Sequence, residues 1–508
     1  MASLETSLVY DGAASDELVE AGLSPFHAVY FATMGDEERE AGGLNAFMPD
    51  NPYGGGISPF TIANSLAAGK GAVIAREGQT DAAYEPMDEA LRFASDVRLT
   101  GTAALGLAGG GYWETLEGDA LRAAVKRVIA EEGPAVAEFC SQQGLNFSWE
   151  NSCYYTAPGE TGYAADHYVA VVGWDDDFPR ARFNEAMRPE SDGAWLVKNS
   201  WGTDQGDAGY FWISYEDATL DVQAALFGEA KRADEAVYQY DEAGWTDSLS
   251  VGGNAGWAAN VFTSERDEQL DRVQFCTTGV GTAYEVEVRR GVAADGSDLR
   301  GGELVAACSG VQELPGWVTA ELDEPVALSA GETFSVVVRL ENESYAYPLA
   351  VETFTPDPEL AGAEPDYMGR DEDGAREVSW VSSDGVTWED PAGYGRDLAR
   401  GTTSGGEAAG SGATGAAAAL GEEAQAASDG GSSRSYVTNV CVKALTVPRD
   451  ASGGTGDAGG VDGAMGDPKP LASTGDALGA ALLAMGLTGL LAAVVLTVAA
   501  GRRRFPLR

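Results

Sequence analysis

Asp166-His167-Tyr168-Val169-Ala170-Val171-Val172-Gly173-Trp174 and, a little further on, Ala194-Trp195-Leu196-Val197-Lys198-Asn199-Ser200-Trp201-Gly202 decide how this chain is read. Both are short apolar runs rich in valine and aromatic residues, the signature of buried strands. The first opens on a histidine and the second closes on an asparagine. Strand ends are where a rigid scaffold hands side chains to a cleft, so an imidazole and a carboxamide in these places are candidates for chemistry. A histidine at a strand end is as readily a hydrogen-bonded structural residue, and the weight falls on the segment after Asn199. It is a glycine-punctuated turn, Ser200 to Tyr210, with glycines at 202, 206 and 209.

That turn, Asn199-Ser200-Trp201-Gly202-Thr203-Asp204-Gln205-Gly206-Asp207-Ala208-Gly209-Tyr210, resembles the run NSWGxxWGxxGY of papain-like cysteine peptidases, with Gln205 in place of the second tryptophan. Thiol peptidases need a thiolate, a histidine that shares its proton and a polar group that fixes the imidazole tautomer. The resemblance implies that His167 is the general base, that Asn199 orients it and that Trp201 covers their hydrogen bond from water. It covers residues 1 to about 218 and implies an α+β papain-like fold for a domain at 1–228, with helices first and strands later. Gly54-Gly55-Gly56 resembles the glycine pair of the papain cleft, where missing side chains let a substrate backbone lie close. Ser58 and Pro59 then read as N-cap and first position of a helix, and Leu121, Val125, Val128 and Ile129 as one face of another that stops at Gly133-Pro134. Leu23-Ser24-Pro25-Phe26-His27 supplies the other histidine of the chain, read as structural.

The resemblance also demands a cysteine at the start of the first long helix, preceded by an oxyanion-hole glutamine. Met1-Ala2-Ser3-Leu4-Glu5-Thr6-Ser7-Leu8 is similar to the helix just beyond that segment, and the amino end shows no signal peptide. The expectation is a papain-like domain truncated before its nucleophile and inactive as written. A start codon assigned at an internal methionine would account for both absences; a true pseudopeptidase is the other explanation. Cys140 and Cys153 precede His167 too closely to substitute, since family cysteines lie roughly 130–150 residues ahead of their histidine.

Composition narrows the rest. With 508 residues, 44% hydrophobic content and a formal net charge of -48, the chain is long enough for several cores and unsuited to nucleic acid, which needs clustered Lys and Arg. Cys140, Cys153, Cys276, Cys308 and Cys441 lack the spacing of a zinc site, so no metal and no cofactor are expected. Cys276 and Cys308 fall in one β-rich region and are candidates for a disulfide if the chain is exported.

From about Val237 the pattern changes to short alternating strands at Leu270 to Phe275, Tyr284 to Val288 and Thr333 to Leu340. A hairpin is expected at Asp384-Gly385 between Val378 to Val381 and Val386 to Trp388. Residues 236–447 read as a β-sandwich, interrupted by a Gly/Ala/Ser/Glu-rich insertion at 401–434 and closed by one strand from Tyr436 to Leu445. Tyr238-Gln239-Tyr240-Asp241 and Asn439-Val440-Cys441-Val442-Lys443 resemble parts of the lectin-like domain that comes after papain-like modules in some bacterial surface proteins. Trp245, Trp257, Trp317, Trp380 and Trp388 are candidates for stacking on sugar rings, although most tryptophans of a sandwich belong to its core.

Residues 448–470 read as a flexible wall-spanning linker. Leu471-Ala472-Ser473-Thr474-Gly475, the uncharged run 477–500 and the basic tail 501–508 resemble a sortase sorting signal of the LPxTG type, in an LAxTG form. The apolar run is long enough to span a bilayer as a transmembrane helix, and Arg502, Arg503 and Arg504 place the tail inside. The whole is expected to be a cell-surface, papain-like cysteine peptidase, anchored to cell wall or membrane, that hydrolyses peptide bonds through a thiolate and imidazole. The alternative is a non-catalytic adhesin or pseudopeptidase. Expected partners are an extracellular peptide or protein substrate, possible glycan, sortase and the cell wall, and the membrane through 477–500, with no nucleic acid.

Overall fold

The computed structural model describes residues 1–32, 57–78, 87–106, 113–142, 144–160, 163–292, 297–354, 378–394 and 436–449. Gly54-Gly55-Gly56, the insertion 401–434, all but the first two residues of the linker, the sorting pentapeptide, the run 477–500 and the basic tail lie outside them. Among the described residues no helix is long and apolar enough to cross a membrane.

Helices lead, as the apolar spacing implies. They are α1 (Ala2–Tyr10), α2 (Asp16–Ala21), α3 (Pro25–Ala32), α4 (Pro59–Ala67) and α5 (Gly118–Glu131). Ser58 caps α4, its Oγ accepting from Phe60 N at 3.1 Å with proline next in the chain. Val125, Val128 and Ile129 form the buried face of α5, which ends before Gly133 at φ +143°. In α1 the small polar residues do the docking. Ser3 Oγ donates to Pro134 O at 2.6 Å, and Ser7 Oγ accepts from Gly228 N at 3.2 Å, while Leu4 and Leu8 fill the core.

The strands of the first half are β1 (Val97–Ala104), β2 (Ala135–Phe139), β3 (Phe147–Ser148), β4 (Cys153–Tyr154), β5 (His167–Asp175), β6 (Ala194–Lys198), β7 (Tyr210–Ser214) and β8 (Asp221–Ala230). The second half contributes β9 (Ala236–Tyr238), β10 (Asp247–Leu249), β11 (Ala255–Thr263), β12 (Glu268–Thr277), β13 (Thr282–Arg290), β14 (Glu303–Gln312), β15 (Gly316–Leu328), β16 (Thr333–Glu341), β17 (Leu349–Phe354), β18 (Ser379–Ser382), β19 (Tyr436–Val440) and β20 (Val442–Pro448). A five-stranded sheet in the order β14-β13-β16-β11-β18 faces part of a larger one. Between them lie Phe262, Phe275, Phe334, Val273, Val336 and Val338, all essentially inaccessible.

The larger sheet runs without a break through both halves, in the order β3-β4-β7-β6-β5-β2-β8-β1-β15-β12-β20-β9. The join is β1 against β15, at Gly101 opposite Val318. A Cβ on Gly101 would sit 3.1 Å from Trp317 O, tighter than ordinary contact, so a side chain there would push the two backbones apart by a few tenths of an ångström. Side chains reinforce the seam: Trp317 N donates to Thr102 Oγ1 at 2.9 Å and Gln274 Nε2 to Leu99 O at 2.8 Å. Arg98 of β1 and Arg272 of β12 converge on the buried Glu235 carboxylate at 2.5 and 2.6 Å.

Three local expectations need correction. Tyr436 to Leu445 is not one strand: it bends at Cys441, whose N–H bonds Ala350 O, so β19 belongs to a small sheet with β17 and β10 while β20 joins the large one. The Asp384-Gly385 turn forms, with Val381 and Glu389 exchanging both backbone hydrogen bonds. Val386 to Trp388 is not a strand, because Asp384 Oδ1 takes the amides of Val386 and Thr387 out of the ladder. Cys276 and Cys308 do not pair. Cys308 lies on β14, in the five-stranded sheet, whereas Cys276 lies on β12, in the other sheet and within a different hydrophobic cluster.

Candidate active site

β5 and β6 are hydrogen-bonded neighbours, paired from Ala170–Lys198 to Asp175–Ala194. Antiparallel pairing brings the start of one beside the end of the other, so His167 and Asn199 meet at one edge of the sheet. His167 Nε2 lies 2.8 Å from Asn199 Oδ1. Ser200 N, which can only donate, also reaches Oδ1 at 2.8 Å, and that fixes which end of the amide faces the ring. A carboxamide oxygen only accepts, so Nε2 carries the hydrogen and Nδ1 is left as the basic nitrogen. The tautomer is thus set by the geometry: Asn199 makes His167 a proton acceptor at Nδ1.

Trp201 lies over the imidazole with ring centres 4.6 Å apart and planes 30° from parallel. It remains 42% exposed, so it shields one face of the pair and leaves the other side of the indole to solvent. The turn that delivers both residues is held by its backbone. Asn199 N donates to Gly209 O at 2.9 Å and Gly209 N to Gln205 O at 2.8 Å. Gly206 has φ +62°, and a Cβ there would come within 2.5 Å of Tyr210 O. Gly206→Ala is therefore expected to cost about 1–3 kcal/mol by strain at a left-handed position and to displace Trp201, read as a lower midpoint in denaturant and a shifted His167 ring resonance.

Phe139 pairs with His167 across β2 and β5, and Asp166 N donates to Phe139 O at 3.1 Å. Asp166 Oδ1 accepts from Ser141 N at 2.7 Å, clamping the segment before the histidine. Sequence reading passed over this aspartate, although its place directly before His167 was the available signal. A small cleft opens beside the pair, lined by Phe139, Ser141, Phe147, Tyr154, Asn199, Trp201, Gln205, Gly206 and Phe211. Gln205 sits on that cleft where the resembling family has a tryptophan.

All five cysteines are free thiols, four of them buried and Cys308 half-buried. Cys153 is sealed, its Sγ donating to Arg182 O at 3.1 Å, and burial pushes its thiol up to about 12. Burial also raises Cys308, to about 11, and Cys276 and Cys441 well above the ordinary thiol range. Thiolates are the reactive form, so burial holds these groups mainly as thiols at neutral pH. Cys140 comes directly after Phe139 but is fully buried, its N–H on Thr219 Oγ1. His27 is structural, as expected: it is inaccessible, Nε2 bonds Leu91 O at 2.8 Å, and burial lowers its pKa so that it stays neutral. Among the described residues no group of His, Cys, Asp and Glu is arranged to hold a metal.

Residues 112–230 match the family model of papain family cysteine proteases, and residues 237–398 match that of the lectin-like domain. The chain joins a papain-family domain to a lectin-like domain. Within the first, it is 31% identical over 128 residues to a cathepsin L-like peptidase of Aedes aegypti, spanning 25% of this chain and 31% of that protein. It is 27% identical over 110 residues to a gut-specific cysteine proteinase of Caenorhabditis elegans, spanning 22% and 29%. The chain thus spans about a third of the curated relatives it matches. The whole two-domain arrangement is similar to the Clostridial cysteine protease Cwp84 after propeptide cleavage, with TM-score 0.60, 23% identity and coverage of 88% of this chain and 92% of that one. A second structure, of the cysteine protease and lectin-like domains of Cwp84, a surface layer associated protein of Clostridium difficile, gives the same TM-score with 82% of its chain covered. At this identity the likeness is one of fold.

The lectin-like domain divides its tryptophans into two sets. Trp245 and Trp317 are buried at the seam between the halves, which excludes them as sugar platforms. Trp257, Trp380 and Trp388 cluster, half-buried, on the outer side of the five-stranded sheet, with the Arg339 guanidinium 5.3 Å above the Trp257 ring.

Proposed function

We propose that this protein is a cell-surface cysteine peptidase of the papain type, in which His167 is the general base, Asn199 its orienting partner and Trp201 their cover. The observation that carries the reading is the 2.8 Å contact between His167 Nε2 and Asn199 Oδ1, which leaves Nδ1 as the base. Nδ1 takes the proton of a thiol, and the thiolate attacks the scissile carbonyl. The imidazolium returns the proton to the leaving amine, and water, activated by the same nitrogen, releases the acyl group.

The thiol comes from none of the five cysteines, and the 508-residue chain alone is proposed to be inactive. The position that fits lies ahead of α1. From Ser7 to Ser3 the helix runs along β8 from Gly228 to Leu226, toward the end of the sheet where Asp221 pairs with Glu138 beside the Phe139–His167 rung. Continued in that direction for one or two further turns, about 4–7 residues, the helix would approach that end of the sheet. Its positive end would then face the site, which lowers a thiol's pKa.

The test adds a helical segment of that length, opening on Gln and Cys, ahead of Ala2 and measures labelling by a thiol-reactive peptidyl probe. Labelling is expected for the extended chain, about 10²-fold slower with His167→Ala, and absent for residues 1–508. Labelling of the unextended chain at any cysteine, or indifference to His167, would refute the reading. Failure of the extended, folded chain to label while it still binds peptide would favour the non-catalytic adhesin. We further propose a glycan as partner of the lectin-like domain through Trp257, Trp380 and Trp388, and surface retention through 471–508 by sortase, cell wall and membrane.

A further inference from the structure

We propose that Cys276 and Cys441 form a disulfide that locks the seam between the two halves of the chain. The register carries the argument. In the antiparallel pair β12 and β20, Gln274 lies opposite Lys443 and Phe275 opposite Val442; β20 begins at Val442, and the register continued by one rung would set Cys276 opposite Cys441, both free thiols in this structure. Alternation fixes the face. Gln274 points toward the papain-family half, donating to Leu99 O, and Lys443 points the same way, its ammonium 5.1 Å from the centre of the Trp317 ring. Cys276, two residues from Gln274 in β12, shares that face, and Cys441, at the bend just ahead of β20, packs into the same buried cluster.

Both thiols are 1–2% exposed and belong to one hydrophobic cluster with Trp245, Trp317 and Ala350. Directly opposed residues in an antiparallel pair have Cα atoms about 4.5–5.5 Å apart, inside the range of about 4.4–6.8 Å that a disulfide spans. At the bend, the Cys441 N–H is held by Ala350 O on the neighbouring sheet. The remaining cysteines are differently placed. Cys308 lies in the opposite sheet, Cys140 packs in the papain-family half, and Cys153 is bonded to Arg182 O.

The step is thiol–disulfide exchange with a small disulfide or an oxidised dithiol protein. One thiolate attacks the donor's S–S bond, giving a mixed disulfide and one donor thiol. The second thiolate then displaces the other donor thiol and closes the protein's S–S bond. Two protein thiols are oxidised and one donor disulfide is reduced. Because both sulfurs are sealed in the folded chain, exchange takes place before the seam closes, and afterwards the bond resists reductants unless the chain unfolds.

The full chain is refolded with a mixture of reduced and oxidised glutathione, unfolded in denaturant with an alkylating reagent and no reductant, digested and mapped by mass. The expected result is one linked peptide pair containing Cys276 and Cys441, with Cys140, Cys153 and Cys308 alkylated. Cys276→Ser should leave Cys441 alkylated, and a version of the chain with Cys140, Cys153 and Cys308 all changed to Ser should keep the link. Recovery of all five cysteines alkylated from the refolded, soluble protein overturns the proposal, as does a dominant link between any other pair. The linked form should also melt several degrees higher than the same protein unfolded and refolded with reductant throughout; equal melting temperatures would count against a lock on the seam.

Discussion

Trp317→Ala is expected to destabilise the chain by about 3–5 kcal/mol, the range for deleting a buried tryptophan, and to loosen both halves at once. Trp317 is 1% exposed and sits where β15 meets β1. Its indole N–H donates to Asn64 Oδ1 at 3.0 Å, and Asn64 Nδ2 passes the contact on to Trp245 O at 2.9 Å. Removing the ring leaves a cavity under Lys443 and an unpaired amide on α4, and each adds to the transfer loss. Trp317→Phe keeps most of the apolar area and loses only the hydrogen bond, so it should cost about 1–2 kcal/mol. Urea unfolding monitored by far-UV dichroism gives the two numbers, and hydrogen exchange shows where the loss falls. Faster exchange in α4 and β1 as well as in β12 and β15 is expected. Protection lost only in the lectin-like half would contradict the coupling.

Lys443→Met should be as damaging, again about 3–5 kcal/mol, because breaking a buried ion pair strands its partner. Lys443 and Asp241 are both inaccessible and 2.7 Å apart, and the ammonium also donates to Gln239 Oε1 at 2.7 Å. Burial pushes the Asp241 carboxyl up, and Lys443 is the principal group opposing that. Without the lysine the folded state retains a proton that the unfolded chain releases near pH ~3.9. A folded pKa above the unfolded one means stability is present at low pH and is lost as pH rises through that interval and beyond. The deficit of Lys443→Met relative to the parent should therefore be larger at pH 8 than at pH 5. Replacing both members, Lys443→Met with Asp241→Leu, should recover most of the loss. A deficit independent of pH, or a double variant as weak as the single one, would show that the pair is not the source.

The His167–Asn199 site was legible because its parts are local. A strand, a histidine, an asparagine and a glycine turn are each encoded in a few consecutive residues, and pairing β5 with β6 is the simplest way to bury Val169, Val171 and Val197. Ser58 and Pro59 announced α4 for the same reason. Pairing between distant segments could not be read. Nothing in Gly101 or Val318 signals that β1 and β15 will be neighbours, since the close approach is a property of the assembled sheet. The bend at Cys441 was hidden because Tyr436 to Leu445 is uniformly β-forming, and only the competing hydrogen bond to Ala350 divides it. The tryptophans were ambiguous in the same way. Trp317 and Trp257 look alike in sequence, and only the fold sends one to the seam and the other to an outer face.

The position of β20 within the large sheet has a mechanical consequence. This last described strand lies between β12 and β9 and is hydrogen-bonded to both. Its bonds to them run across the strand direction. Tension applied to the chain beyond Arg449 would pull along β20 and load many of those bonds together in shear, whereas a strand peeled sideways from a sheet gives way one bond at a time. With β12 joined through β15 to β1, the load would spread into the half that carries His167. A chain tethered at that end would resist extraction as one body and keep its candidate site assembled under drag.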